Sequence, residues 1–167
     1  MAIHKIDGVD AVDGGSAINS FPKKFVTLHG VAAIAKGAWV RIDLDSSDAS
    51  KNGLGASVEE SPAATTAGDP LVFGVATEAI TAAGLIRIQT AGLYGDGTAG
   101  GGALTDGGVN AGDPLCAGDD GSAGQIDTYE SNVHTNANIC GVALTADGAG
   151  SYGANEATVI IVDQGYF

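Results

Sequence analysis

The residues able to do chemistry are few and scattered. His4, His29 and His134 stand alone. No His-x-x-x-His pair or Glu-rich helical segment accompanies them to build a metal face, so each reads as a surface or interface side chain. Cys116 and Cys140 lack Cys-x-x-Cys spacing and lie in or beside segments that read as strands. They are expected as buried free thiols in a reducing cytoplasm, with a bond formed after lysis as the open alternative. No Gly-x-Ser-x-Gly occurs, and no Ser or Cys has an obvious base nearby. Gly95-x-Gly97 and Gly100-Gly101-Gly102 are followed by no Lys and open no helix, which removes the phosphate-loop reading. The sequence therefore predicts no enzyme and no cofactor.

Calcium is the chemical alternative. Asp43-x-Asp45-x-x-Asp48 and Asp119-Asp120-Gly121 supply the oxygen ligands that hard cations prefer. The first run lacks the Gly and distal Glu of an EF-hand loop, and the Gly/Asp nonapeptide of calcium β-rolls is absent. Asp is also the ordinary residue of β-turns. A solvated acidic face without a metal is the expectation.

Charge excludes further classes. The chain has 167 residues with 20 acidic and 7 basic side chains, a net charge of −13. All Lys and Arg lie at or before Arg87, so residues 88–167 carry ten acids and no cation. Nucleic-acid binding requires clustered cations that displace counterions, and an anionic membrane asks for the same. Neither partner fits. No run of 18 apolar residues spans a bilayer, and Met1–Asp7 has no signal-peptide core, so synthesis in a cytoplasm is expected.

The elements that would position any site read as β. Residues 1–22 form a polar, turn-rich stretch ending at Pro22, expected as an extended N-terminal arm before one β domain over 23–167. In residues 38–44, Val40, Ile42 and Leu44 alternate with Trp39, Arg41 and Asp43. Ile86 and Ile88 likewise alternate with Arg87 and Gln89, the mark of half-buried strands. Val159–Val162 is apolar on both faces and suits a central strand. Residues 45–68 and the glycine-rich 92–112 are expected as long loops, for contact or mobility. Gly and Ala, 27 and 28 residues, fill a core poorly, so a partner surface is expected to help stabilise the chain.

Two phrases recur. Ala67-Gly68-Asp69-Pro70-Leu71 returns 44 residues later as Ala111-Gly112-Asp113-Pro114-Leu115, with a degenerate copy at Ala35–Val40. Gly turns the chain, Asp caps the turn and Pro starts a strand without donating to a ladder, so each copy predicts a turn launching a strand. Phe73-Gly74-Val75-Ala76 and Cys140-Gly141-Val142-Ala143 each place Gly within a strand, predicting a bulge or a close backbone approach.

In order, these phrases, with Gln89-Thr90-Ala91-Gly92 between them and the terminal Val-Ile-Ile-Val, resemble the small capsid decoration, or cement, proteins of tailed bacteriophages over residues 28–163. The resemblance implies a compact β-barrel or β-tulip-like domain on the outer surface of the virion. There it would reinforce junctions of the major capsid protein as a homotrimer or dimer. Lys5, Phe21, Lys23, Lys24 and Phe25 are the candidate capsid contacts, since cations are scarce and could meet acidic capsid surface. Lys23 and Lys24 read equally as a solvated strand edge. The competing function is a surface binding module, an adhesin or carbohydrate-binding domain. It would call for exposed aromatics, and the chain has one Trp, four Tyr and four Phe.

Overall fold

The computed structural model describes residues 22–43, 57–62, 69–117, 122–134 and 137–165. Among them there is no helix. In chain order the strands are β1 (Lys24–Gly30), β2 (Trp39–Ile42), β3 (Ser57–Glu60), β4 (Val72–Ala76), β5 (Gly84–Tyr94), β6 (Ala103–Leu104), β7 (Pro114–Cys116), β8 (Asp127–Thr128), β9 (Gly141–Ala143), β10 (Glu156–Ala157) and β11 (Val159–Ile161). The all-β expectation holds.

The first five strands close a barrel in the order β1-β3-β2-β4-β5, with β5 returning to pair with β1. Closure removes the open edges that would invite unwanted pairing. The inside is filled by the apolar members of each alternation: Val40 from β2, Val58 from β3, Phe73 and Ala76 from β4, Ile86 and Ile88 from β5. Ile42 packs against this cluster as predicted, whereas Leu44 lies outside the described residues.

β5 is longer than the barrel needs. Its last residues leave the wall and pair with β11, which pairs in turn with β9, then β7, then β8. This second sheet, the leaf, folds over the outside of the barrel. Val159–Ile161 is indeed a central strand, flanked on both sides. Gly92, where β5 changes sheets, has φ of 89°, and a Cβ there would stand 2.7 Å from the Pro22 carbonyl. The Gln89 amide donates to the Ala91 and Leu93 carbonyls at 3.0 and 2.9 Å, satisfying buried acceptors along this crossing.

A second core lies between barrel wall and leaf. Trp39, Val72 and Val75 point outward from the barrel, and Tyr94, Leu115, Cys140, Ala143, Val159 and Ile161 meet them. Both sides of β2 and β4 are thus buried. The predicted bulge makes this possible. Val40 pairs with Gly74 and Arg41 with Val72, so β4 carries an extra residue between them. Val72 and Val75 can then both face the leaf while Phe73 and Ala76 face the barrel. Gly141, in the second copy of the phrase, makes the predicted close approach: a Cβ there would sit 2.8 Å from Trp39 Cη2. The indole N–H has no hydrogen-bond partner among the described residues, so Trp39 serves packing alone.

Two of the expected loops contain structure. Within 45–68, Ser57–Glu60 forms a barrel strand. Its pattern has one apolar residue, Val58, and the opposite face is held by a cross-strand pair of Glu59 with Arg41. Within 92–112, residues 92–94 finish β5 and Ala103–Leu104 forms β6. The turns between are tied down: Tyr152 Oη accepts from Gly97 N at 2.8 Å, and the Glu156 carboxylate accepts from Gly100 N at 2.9 and 3.0 Å. The turn-launches-strand reading holds at both clear repeats, with Asp69 accepting from Leu71 N and Asp113 from Asn110 N, each at 2.8 Å.

Gly141→Ala is expected to lower stability by about 2 kcal/mol through overpacking against Trp39. Because Trp39 is the sole Trp, its emission should shift to the red in the same variant. Urea unfolding followed by fluorescence checks both. Tyr94 supplies a second readout. Burial, with Asp96 and Glu156 nearby, pushes its phenol up to about 12. Its stabilising contribution is therefore complete below pH 10 and is lost as pH rises from 10 to 12. An ultraviolet titration should show a late tyrosinate step that Tyr94→Phe removes.

Candidate interaction surfaces

Of the five sequence-predicted contacts, Lys5 and Phe21 lie outside the described residues. Lys23, Lys24 and Phe25 open β1 but do not act together. Lys24 forms an ion pair with Asp163, joining barrel to leaf. Phe25 is 40 % exposed, and the Arg87 guanidinium lies over its ring, 4.0 Å from the centroid. Arg87 sits on the adjacent strand, and the register explains the meeting. Phe25 pairs with Gln89, Thr27 with Arg87 and His29 with Leu85, which places these side chains on the outside of the barrel while Val26, Leu28, Ile86 and Ile88 face in. Leu85, at 70 %, is the most exposed large apolar side chain described. Sequence reasoning named Arg87 only as the polar half of an alternation and missed Leu85, which shares its phase.

Lys23 belongs to a second surface. With Lys36, Gln89, Tyr94 and Asp96 it lines an open cleft of about 170 Å³ beside the end of β5. Hydrogen bonds from the Thr98 hydroxyl and amide hold the Asp96 carboxyl below its usual range, with a further contribution from Lys36. Neither lysine forms an ion pair with a carboxylate among the described residues.

The remaining cation among the described residues is consumed internally. Arg41 binds Asp69 through Nη1 at 2.7 Å and Glu59 through Nε at 2.8 Å, tying β2 and β3 to the turn before β4. Burial opposes its charge, but these hydrogen bonds outweigh that and raise its pKa. In the barrel segment, described residues Lys23, Lys24, Lys36, Arg41 and Arg87 are matched by Asp43, Glu59, Glu60, Asp69 and Glu78. After Arg87 the described residues hold eight acids and no Lys or Arg. The charge asymmetry in the sequence becomes a neutral barrel and an acidic leaf.

The leaf also carries exposed apolar groups that sequence reasoning missed: Ile139, Leu144 and Val162, at 41, 38 and 38 %. Other expectations change. His134 is buried, not at the surface; its Nδ1 accepts from Glu130 N at 2.9 Å and its Nε2 stands 3.8 Å from Asp127, closing the turn after β8. Cys116 and Cys140 are buried free thiols, and burial pushes Cys140 well above the usual thiol range. Asp45, Asp48 and Asp119–Gly121 fall outside the described residues. Trp39, Phe73, Tyr94 and Tyr152 are all buried, so these rings offer no platform for a sugar.

No protein-family model matches the chain, and neither does any curated protein. Among solved structures, the fold is similar to the N base of the head fiber gp8.5 of bacteriophage phi29, at 14 % identity and a TM-score of 0.47, covering 85 % of this chain and 96 % of that one. The likeness lies in the path of the chain.

Proposed function

We propose that this chain is a structural virion protein without enzymatic activity. It binds the outer surface of an assembled phage head and reinforces junctions between major capsid proteins. The ordered turn-and-strand phrases supply the partner class. The observation that carries the reading onto the structure is the open cleft beside the end of β5, which Lys23 and Lys36 line on a chain of net charge −13. Side chains that form no ion pair among the described residues are available to acidic groups of a partner. The closed barrel beneath them is rigid, so little ordering entropy opposes docking.

Single exposed ion pairs contribute little, at most ~1 kcal/mol each. Attachment at a lattice junction multiplies them, because copies bound at one junction share their contacts and binding only the assembled head stabilises it by mass action. A surface of this kind should weaken with salt. The sugar-binding alternative is disfavoured by the burial of Trp39, Phe73, Tyr94 and Tyr152.

Purified protein is expected to co-sediment with undecorated heads, and the double reversal Lys23→Glu with Lys36→Glu to reduce occupancy at least about tenfold. Failure of the unaltered chain to sediment with heads would overturn the decoration reading. Binding unchanged by the double reversal would move the attachment away from the Lys23–Lys36 cleft.

A further inference from the structure

The outer face of the leaf is an apolar surface that the proposed head contact does not use. Ile160, Val142 and Pro114 are paired successively across β11, β9 and β7. Their strand neighbours Val159, Ile161, Ala143 and Leu115 point into the core against the barrel. Alternation therefore puts the three, each half-buried, on the opposite side of the sheet. Leu144 and Val162 continue that side at its two ends, and Ile139 is exposed one residue before Cys140, whose carbonyl accepts from Val162 N. The result is one apolar band spanning three strands, in a segment whose described charges are all negative.

A surface complementary to this band exists elsewhere on the same chain. The outer face of β1 and β5 carries Phe25 and Leu85, the other exposed large apolar side chains, together with Arg87. Arg87 rests on the Phe25 ring and has no carboxylate ion pair among the described residues. Leaf against leaf would bring together two surfaces with acids and no cations. Barrel face against leaf joins apolar to apolar and brings the Arg87 guanidinium to a segment whose described charges are all negative, and aromatic and Arg side chains are the usual anchors of such contacts. The Lys24–Asp163 ion pair shows the same barrel-to-leaf pairing inside one chain.

The geometry points to a second copy of this chain as the occupant: the Phe25–Leu85–Arg87 face of one copy docks on the Ile160–Val142–Leu144–Val162 face of another. The contact is between unlike faces. Each copy therefore offers one donor face and one acceptor face, and the rotation between copies decides whether the assembly is a reciprocal pair, a ring or an open chain. Self-association here is separate from head binding at the Lys23–Lys36 cleft.

Complementary mixing tests it. Leu85→Glu with Arg87→Glu disables the barrel face, and Leu144→Glu with Val162→Glu disables the leaf face; all four positions are exposed. The mass of each in sedimentation equilibrium is read at tens of micromolar, with Trp39 emission confirming the native core. The unaltered chain is expected at a multiple of 16.4 kDa. Each double variant alone should be monomeric, and an equimolar mixture should recover a one-to-one complex. A monomeric unaltered chain overturns the proposal, even if it still decorates heads. Association persisting in either variant alone, or a mixture that stays monomeric, overturns it too.

Discussion

One strand belonging to two sheets is the constraint on which this architecture depends. β5 closes the barrel against β1 and β4 with its first residues and founds the leaf with its last. An L-residue resists the backbone of Gly92, and any Cβ would strike the incoming chain at Pro22, so the crossing point is fixed chemically as well as geometrically. Because the leaf starts from a barrel strand, it cannot swing away without breaking the ladder it hangs from. It must lie on the barrel wall, and the wall must present apolar residues outward to receive it.

That requirement explains features that are odd for a barrel. Trp39 is fully buried although it faces away from the barrel interior. The bulge in β4 turns both Val72 and Val75 outward, which strict alternation forbids. Gly141 leaves room for the far edge of the indole. A high glycine and alanine content, which looks like a deficit of core volume, reflects how closely the layers approach. A single large ring fills the space between sheets whose backbones nearly touch it.

Much of this was legible in the sequence, and the limits have physical reasons. The alternations around Val40 and Ile86 revealed strands because half-burial imposes a period of two. The Gly-Asp-Pro phrases revealed where strands begin because their turn chemistry is local. β3 was hidden because Ser57-Val58-Glu59-Glu60 is polar; its strand is made by Arg41, distant in sequence and supplying the charge that Glu59 needs. The buried position of His134 was hidden likewise, since its partners are backbone and Asp127 in a turn with no apolar signature. For the interaction surfaces, type was legible and company was not. Phe25 and Lys24 stood out by scarcity, but that one lies under Arg87 and the other is neutralised by Asp163 depends on pairings across 62 and 139 residues.

Scarcity of cations has a further consequence. Arg41 is held between Glu59 and Asp69 to build the barrel, and Lys24 is paired with Asp163 to fasten the leaf. Among the described residues, Lys23, Lys36 and Arg87 remain for other partners, and all three are on the barrel. Attraction to an acidic surface runs, among the described residues, through these three, while the leaf repels that surface. Orientation is therefore set by charge before close contact is made, and apolar burial contributes after it. In a chain with more cations, the same net charge would leave several ways to approach. Among the described residues, the positions of three side chains favour approach from the barrel side.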